Sequence, residues 1–234
     1  MEDKTGTIWI GTNNGLVKLI KQGNPEDYQF VTYTQNQPDS INFVDNYISS
    51  LIIDNENRIW LGSYKGGLFQ FLPKQEKFIS YSPPLLDSSI FKNEIHVVSL
   101  YQDQHNTLWV GTESNGLLQF DINKRSYQSH PKNDFLLSNM IMGMLEDDME
   151  SLWIGTSRGL SNYSPWNNKL STYTYIDGLE SSGFNRNSVL KSTGGKMYFG
   201  SNSALSYFYP LEVSNNPFKP NVVITDFKVL NKSE

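Results

Sequence analysis

A chain of 234 residues is long enough to bury a substantial core, and 38% hydrophobic with 13% aromatic content excludes a disordered segment. A formal charge of -5, with both signs scattered and no basic block, excludes a nucleic-acid surface. Without cysteine there is neither a disulfide framework nor a cysteine zinc site, a composition that suits cytosol and periplasm equally. No run approaches the ~20 apolar residues of a membrane span. The opening MEDKTGTIW lacks the basic end and apolar centre of a signal peptide, so the expectation is a soluble segment.

The first predicted element is TIWIGTNNGLVKL (7–19), which reads as a hairpin: a short apolar strand, a glycine-bearing turn and a second apolar strand. The chain then says nearly the same thing at RIWLGSYKGGLFQF (58–71), TLWVGTESNGLLQF (107–120) and SLWIGTSRGLSNY (151–163), and more loosely at KMYFGSNSALSYF (196–208). Trp9, Trp60, Trp109, Trp153 and Tyr198 mark the copies, spaced 51, 49, 44 and 45 residues apart. Two positions after each aromatic stands a glycine: Gly11, Gly62, Gly111, Gly155 and Gly200. Six positions before each tryptophan stands an aspartate (Asp3, Asp54, Asp103, Asp147), with Ser192 in that slot of the fifth copy.

Each unit parses into four short strands. In the second copy YISSLII (47–53) is strand A, RIWLGS strand B, GLFQF strand C and KFISY (77–81) strand D. The aspartate opens the A–B turn, where a carboxylate accepts N–H groups just ahead of it. Gly15, Gly67, Gly116 and Gly159 close the B–C turn, where φ > 0 selects glycine; Ala204 takes that place in the fifth copy and predicts a different turn. Strand B is apolar at consecutive positions (Ile59, Trp60, Leu61), so both faces of the sheet are covered. A four-stranded unit of that kind, repeated every 44–51 residues, predicts an all-β fold, a β-propeller of four-stranded antiparallel blades. The ends are ragged. The first copy starts inside strand A, and the fifth lacks the strand-D pattern of Phe30-x-x-Tyr33, Phe78-x-x-Tyr81 and Leu170-x-x-Tyr173. The expected organisation is residues 1–210 as blades (three whole, two partial) in an open arc in preference to a closed five-bladed ring, then a proline-bearing linker at 211–221, then a strand-like run within 222–234.

The stretch TYTQNQPDSINFVDNYISSLIIDNENRIWLGSYKGGLFQF resembles the two-component regulator propeller repeat of bacterial sensor proteins. The "PDS-I" lead-in, the strand ending in aspartate, the W-[IVL]-G-[TS] core and the following G-L carry the resemblance, which extends over residues 1 to 210. The segment YIDGLESSGFNRNSVLKSTGGKMYFGSNSALSYFYP is similar to the last repeat of such sensors. KPNVVITDFKVLNKS is similar to the start of the β-sandwich that follows it. The resemblance implies a periplasmic sensing segment of a membrane-anchored protein, with dimeric signalling, a histidine kinase elsewhere in the full-length protein and, in many gut members, oligosaccharide ligands. Membrane attachment would come only through parts C-terminal to this chain.

Candidate chemistry is sparse. His130 stands where Tyr33, Tyr81 and Tyr173 stand in strand D and reads as their packing substitute. His96 opens a strand A, His105 lies in an A–B turn, and the three histidines share no metal-ligand spacing. The aspartates read as turn caps and the four tryptophans as inter-blade core. No nucleophile motif appears, no cofactor motif either, and Glu113 and Glu180 are merely loop carboxylates. The expectation is a segment with no catalytic residue, metal or cofactor. In such blades the B–C and D–A loops share one face. Its ligand-binding candidates are Tyr64 and Lys65, Glu113, Arg158, and Asn185 with Arg186, and Phe184 is placed beside them. These side chains supply the directed hydrogen bonds and flat surfaces a polyhydroxylated ligand needs. Trp166, at a C–D turn, belongs to the opposite face. A protein-interaction propeller and a propeller lyase or hydrolase remain rival readings; a broad apolar patch would mark the first, a deep pocket with paired histidines and carboxylates the second.

Overall fold

Each copy of the repeat folds into one antiparallel sheet. The computed structural model describes residues 1–21, 27–34, 46–81 and 95–213, with the backbone of 228–229 and 232–233. The lead-in at 38–41, residues 214–221 of the expected linker and residues 222–227 of the final run lie outside the described residues.

The first sheet has three strands in the order β1 (Ile8–Thr12), β2 (Gly15–Lys21) and β3 (Tyr28–Tyr33), corresponding to strands B, C and D. Ahead of them stands only an isolated Glu2–Ile8 bridge. The second blade is a complete sheet of β4 (Ile48–Ile53), β5 (Ile59–Ser63), β6 (Gly67–Leu72) and β7 (Lys77–Ser80). The third comprises β8 (Val97–Gln102), β9 (Leu108–Thr112), β10 (Leu117–Asp121) and β11 (Ser126–Ser129). The fourth comprises β12 (Ile141–Glu146), β13 (Leu152–Thr156), β14 (Gly159–Ser164) and β15 (Lys169–Tyr173). The fifth has β16 (Val189–Lys191), β17 (Met197–Gly200) and β18 (Leu205–Phe208), strands A, B and C. Beyond it, β19 (Lys228–Val229) pairs with β20 (Lys232–Ser233) in a small sheet of its own.

The three sequence markers each have a physical cause. Every repeat aspartate closes its own turn and also holds its tryptophan. Asp54 Oδ1 accepts the N–H groups of Glu56 and Arg58, while Oδ2 accepts the Trp60 indole N–H at 2.8 Å. The same 2.8 Å bond joins Asp3 to Trp9, Asp103 to Trp109 and Asp147 to Trp153. The spacing of six is therefore one hydrogen-bonded unit, and it satisfies a donor that burial of the indole would otherwise strand. In the fifth copy Ser192 Oγ still accepts Lys196 N–H, but a tyrosine has no indole to present.

In the first four copies the glycine two residues after the aromatic marks a close approach between neighbouring blades. A Cβ on Gly11 would stand 2.7 Å from Ile48 Cγ2, and one on Gly62 would strike Val97 in the same way. The B–C turn glycine answers to conformation: Gly67 has φ 80° and Gly116 φ 71°. Ala204 stays outside that region, and Ser201 Oγ accepts its N–H, so the fifth turn is built differently.

Adjacent blades pack by a constant rule. The tryptophan face of one blade meets the flanking apolar positions of the next. Trp9 packs with Ile59, Leu61 and Phe71, Trp60 with Leu108, Val110 and Phe120, and Trp153 with Met197, Phe199 and Phe208. The four tryptophans are 0–5% exposed. Strands β4, β8, β12 and β16 line the inner edge side by side. Each of β4, β8 and β12 carries one extra residue against its partner strand: Ser49, Val98 and Met142, respectively. Among the described residues the first and fifth blades each keep one open face, so the sheets form an arc.

Candidate functional site

The B–C turns are tied to the chain entering strand A. The N–H of Tyr64 donates to the Tyr47 carbonyl, that of Glu113 to the His96 carbonyl and that of Ser157 to the Met140 carbonyl. This fixes the loop face and, with the curvature of the arc, converges side chains from three blades. Glu113 is the centre. Its Oε2 accepts the Tyr64 hydroxyl at 2.6 Å and lies 3.2 Å from His96 Nδ1; its Oε1 accepts Arg186 Nη2 at 2.8 Å. The Arg186 guanidinium lies over the Tyr64 ring at 5.1 Å, His96 stacks on that ring at 4.8 Å, and Tyr47 meets it edge-on at 5.8 Å.

These contacts set the electrostatics. The hydrogen bond from Tyr64, followed by His96 and the charge of Arg186, holds the Glu113 carboxyl below its ordinary range. Its acceptance by Glu113 raises the Tyr64 phenol in turn. The Glu113 carboxylate is one-fifth exposed and the Arg186 side chain about one-third, and Tyr47 beside them is exposed, so the cluster is reachable from solvent. A preorganised cluster of one carboxylate, one guanidinium, a phenol and an imidazole can bind hydroxyl-rich or charged polar groups.

Of the six ligand-binding candidates, Tyr64, Glu113 and Arg186 are brought together. Lys65 is exposed one residue along the same turn, Arg158 is exposed on the fourth blade's B–C turn, and Asn185 donates its N–H to the Gly200 carbonyl. His96 completes the cluster although sequence placed it only at the head of a strand. Phe184 is a correction. It is 3% exposed and packs on Phe199 at 5.4 Å, so it belongs to the core and not to the loop face. Glu180 borders a cavity of about 390 Å³ beside Trp153 and Tyr207, apart from Glu113.

The remaining candidates have structural duties. His130 is 2% exposed between Trp109 (5.5 Å) and Tyr163 (4.4 Å), and burial pushes its imidazole down to about 4. On the opposite face His105 Nε2 pairs with Glu150 at 3.0 Å and its ring meets Trp166, which is 69% exposed. The acceptance by Glu150 raises the His105 imidazole.

Comparison with known proteins agrees with this architecture. The model of the two component regulator propeller family matches residues 42–65 and 89–114, the strand-A and strand-B portions of the second and third blades. Histidine kinase P4 of Formosa agariphila is 28% identical over 99% of this chain, which spans 17% of that protein. Among solved structures, the extracellular domain assigned to the hybrid two component system BT3049 of B. thetaiotaomicron superposes with a TM-score of 0.78 at 25% identity, covering 97% of this chain and 29% of that one. The extracellular domain of BT4673 from B. thetaiotaomicron (TM-score 0.69, 23% identity, 86% of this chain, 25% of that one) shares the fold. So does virginiamycin B lyase of Staphylococcus aureus (TM-score 0.60, 13% identity, 92% of this chain, 69% of that one). The chain thus corresponds to less than a third of the sensor proteins it matches. Parts of the second and third blades thus match the two component regulator propeller model, and the chain as a whole is similar to proteins of two-component systems.

Proposed function

We propose that this chain is a ligand-sensing propeller segment of a two-component sensor, lying in the periplasm and recognising an oligosaccharide or similar polar ligand on the loop face without turning it over. The observation that carries the reading is the Tyr64–His96–Glu113–Arg186 cluster, a polar and aromatic constellation assembled from three blades on one face. Stacking surfaces beside directed donors suit a sugar ring, whose two faces are apolar and whose rim is polar. Similarity to extracellular domains of two-component systems supports a location outside the cytoplasm. Binding becomes a signal only if the ligand favours one of two arrangements of the assembled sensor, and the packing of two sensor copies is the arrangement proposed.

Isothermal titration of this chain with a panel of neutral and uronate-bearing oligosaccharides tests the reading. A member of the panel binds, and Arg186→Ala or Glu113→Gln weakens it about tenfold or more through loss of a charge-assisted hydrogen bond. Binding that ignores both substitutions removes the cluster from the site.

The 3.2 Å His96–Glu113 pair also favours a second reading, since an imidazole beside a carboxylate is how a general base is oriented. Product release from the same panel, abolished by His96→Ala, would establish the enzyme. The expected result is no product above background.

A further inference from the structure

The three extra residues on the inner strands, Ser49, Val98 and Met142, turn their carbonyls out of the sheet ladders, and all three carbonyls meet one side chain or its backbone. Asn187 Nδ2 donates to the Ser49 carbonyl at 2.7 Å and the Val98 carbonyl at 3.2 Å, and its own N–H donates to the Met142 carbonyl at 2.7 Å. Asn187 thereby bonds the inner strands of the second, third and fourth blades at once while belonging to the loop that opens the fifth. Its backbone sits at φ 52°, a left-handed conformation that asparagine tolerates better than most residues. The residue before it is Arg186, whose guanidinium reaches Glu113 on the third blade.

We infer that Asn187 is the positioning residue of the loop-face cluster: a pin on the inner edge of the arc that gathers the three bulge carbonyls and so delivers Arg186 across it onto Glu113. The functional consequence rests on the reading of that cluster as a binding site. The chemistry is specific to asparagine. An amide offers two N–H donors to two carbonyls and a third donor comes from the backbone. Aspartate keeps the shape and the left-handed tolerance but sets a carboxylate against carbonyl oxygens. Glycine keeps the backbone conformation and deletes the amide alone. With the pin in place, the cluster exists only while four blades hold their mutual register, and a ligand pulling on Arg186 acts directly on the start of β16.

The absence of cysteine makes the test clean. Cysteines replacing Glu113 and Arg186 remove the ion pair, so the contribution of Asn187 to how often the two positions meet can be read without it. Their cross-linking rate with a short bifunctional thiol reagent is compared between parent, Asn187→Gly and Asn187→Asp backgrounds. Loss of the two side-chain bonds lowers the rate about tenfold or more in both variants, while cooperative thermal unfolding shows each still folded. An unchanged rate in folded variants overturns the inference. A second measurement needs no variant. The Asn187 amide, bonded to Met142, is protected in hydrogen exchange, and exchange at the rate of an unstructured peptide also overturns it. Oligosaccharide binding separates the two readings. A ligand bound equally by parent and Asn187→Gly refutes positioning, whereas failure of the whole panel on the parent refutes the binding site and leaves the cross-linking rate to decide the pin.

Discussion

Asp103 satisfies three donors with two oxygens: the N–H groups of His105 and Thr107 and the buried indole of Trp109. Removing it opens the turn and strands the indole, so Asp103→Ala is expected to cost about 2–4 kcal/mol in a denaturant titration. Asp103→Ser, the residue used at Ser192, keeps a turn acceptor and should fall between parent and alanine. Trp109→Ala, which empties an inter-blade position, should cost about 3–5 kcal/mol. His130 gives a pH dependence. Its folded imidazole titrates at about 4, because of burial and then Lys132, against 6.5 ordinarily. Between those values the unfolded chain holds a proton that the native state refuses. Stability is therefore full above 6.5 and falls by about 3 kcal/mol as pH drops toward 4. Tyr81 in the equivalent slot donates its hydroxyl to Gln70, and Gln119 stands at the matching position of the third blade. His130→Tyr should lose less melting temperature than the parent between pH 7 and pH 5. Equal losses would show that His130 does not govern the acid limb.

At the scale of the strand, identical sequence positions differ in burial only by what stands next to them. Ile59 and Leu61 of β5 are 1% and 0% exposed, whereas Ile8 and Ile10, their counterparts in β1, are each 38% exposed. Ile59→Thr and Leu61→Thr should each cost about 2 kcal/mol or more, and Ile8→Thr and Ile10→Thr under about 1 kcal/mol, as denaturation midpoints will show. The blade itself was legible because its markers are local: an aspartate and an indole six residues apart, and a glycine where a neighbour approaches. The cluster was legible only in part. Tyr64, Glu113 and Arg186 lie on loops that strand order assigns to one face, but their meeting depends on how the arc curves, over separations of 49 and 73 residues. His96 looked like the first residue of a strand, and it stands immediately before β8. Phe184 looked like a stacking residue because a loop aromatic beside arginine gives no sign that Phe199 will bury it. Asn187 carries no sequence signal at all, since its partners are backbone carbonyls.

For the molecule as a whole, the two open faces matter most. The first blade exposes Ile8, Ile10, Tyr28 and Phe30, and the fifth exposes Leu190, Leu205 and Tyr207. Leu205 occupies the position where Leu16, Leu68, Leu117 and Leu160 are 0–2% exposed. Faces of this kind associate. The chain by itself is expected to scatter light as a species heavier than the monomer at micromolar concentration, and Phe30→Ser with Leu205→Ser should shift it toward the monomer. A monodisperse monomer at that concentration would show that neither face forms a stable contact.

The bond between each aspartate and its indole has a consequence for how such chains change over generations. Within a blade, the buried indole donor and its acceptor lie six residues apart, so a duplicated segment arrives with both, and a deleted one removes both. Gain or loss of a copy leaves no orphaned indole behind, and it is the contacts between blades, mostly apolar, that must find a new fit. Number of copies is thus free to drift, while the sequence within a copy is not.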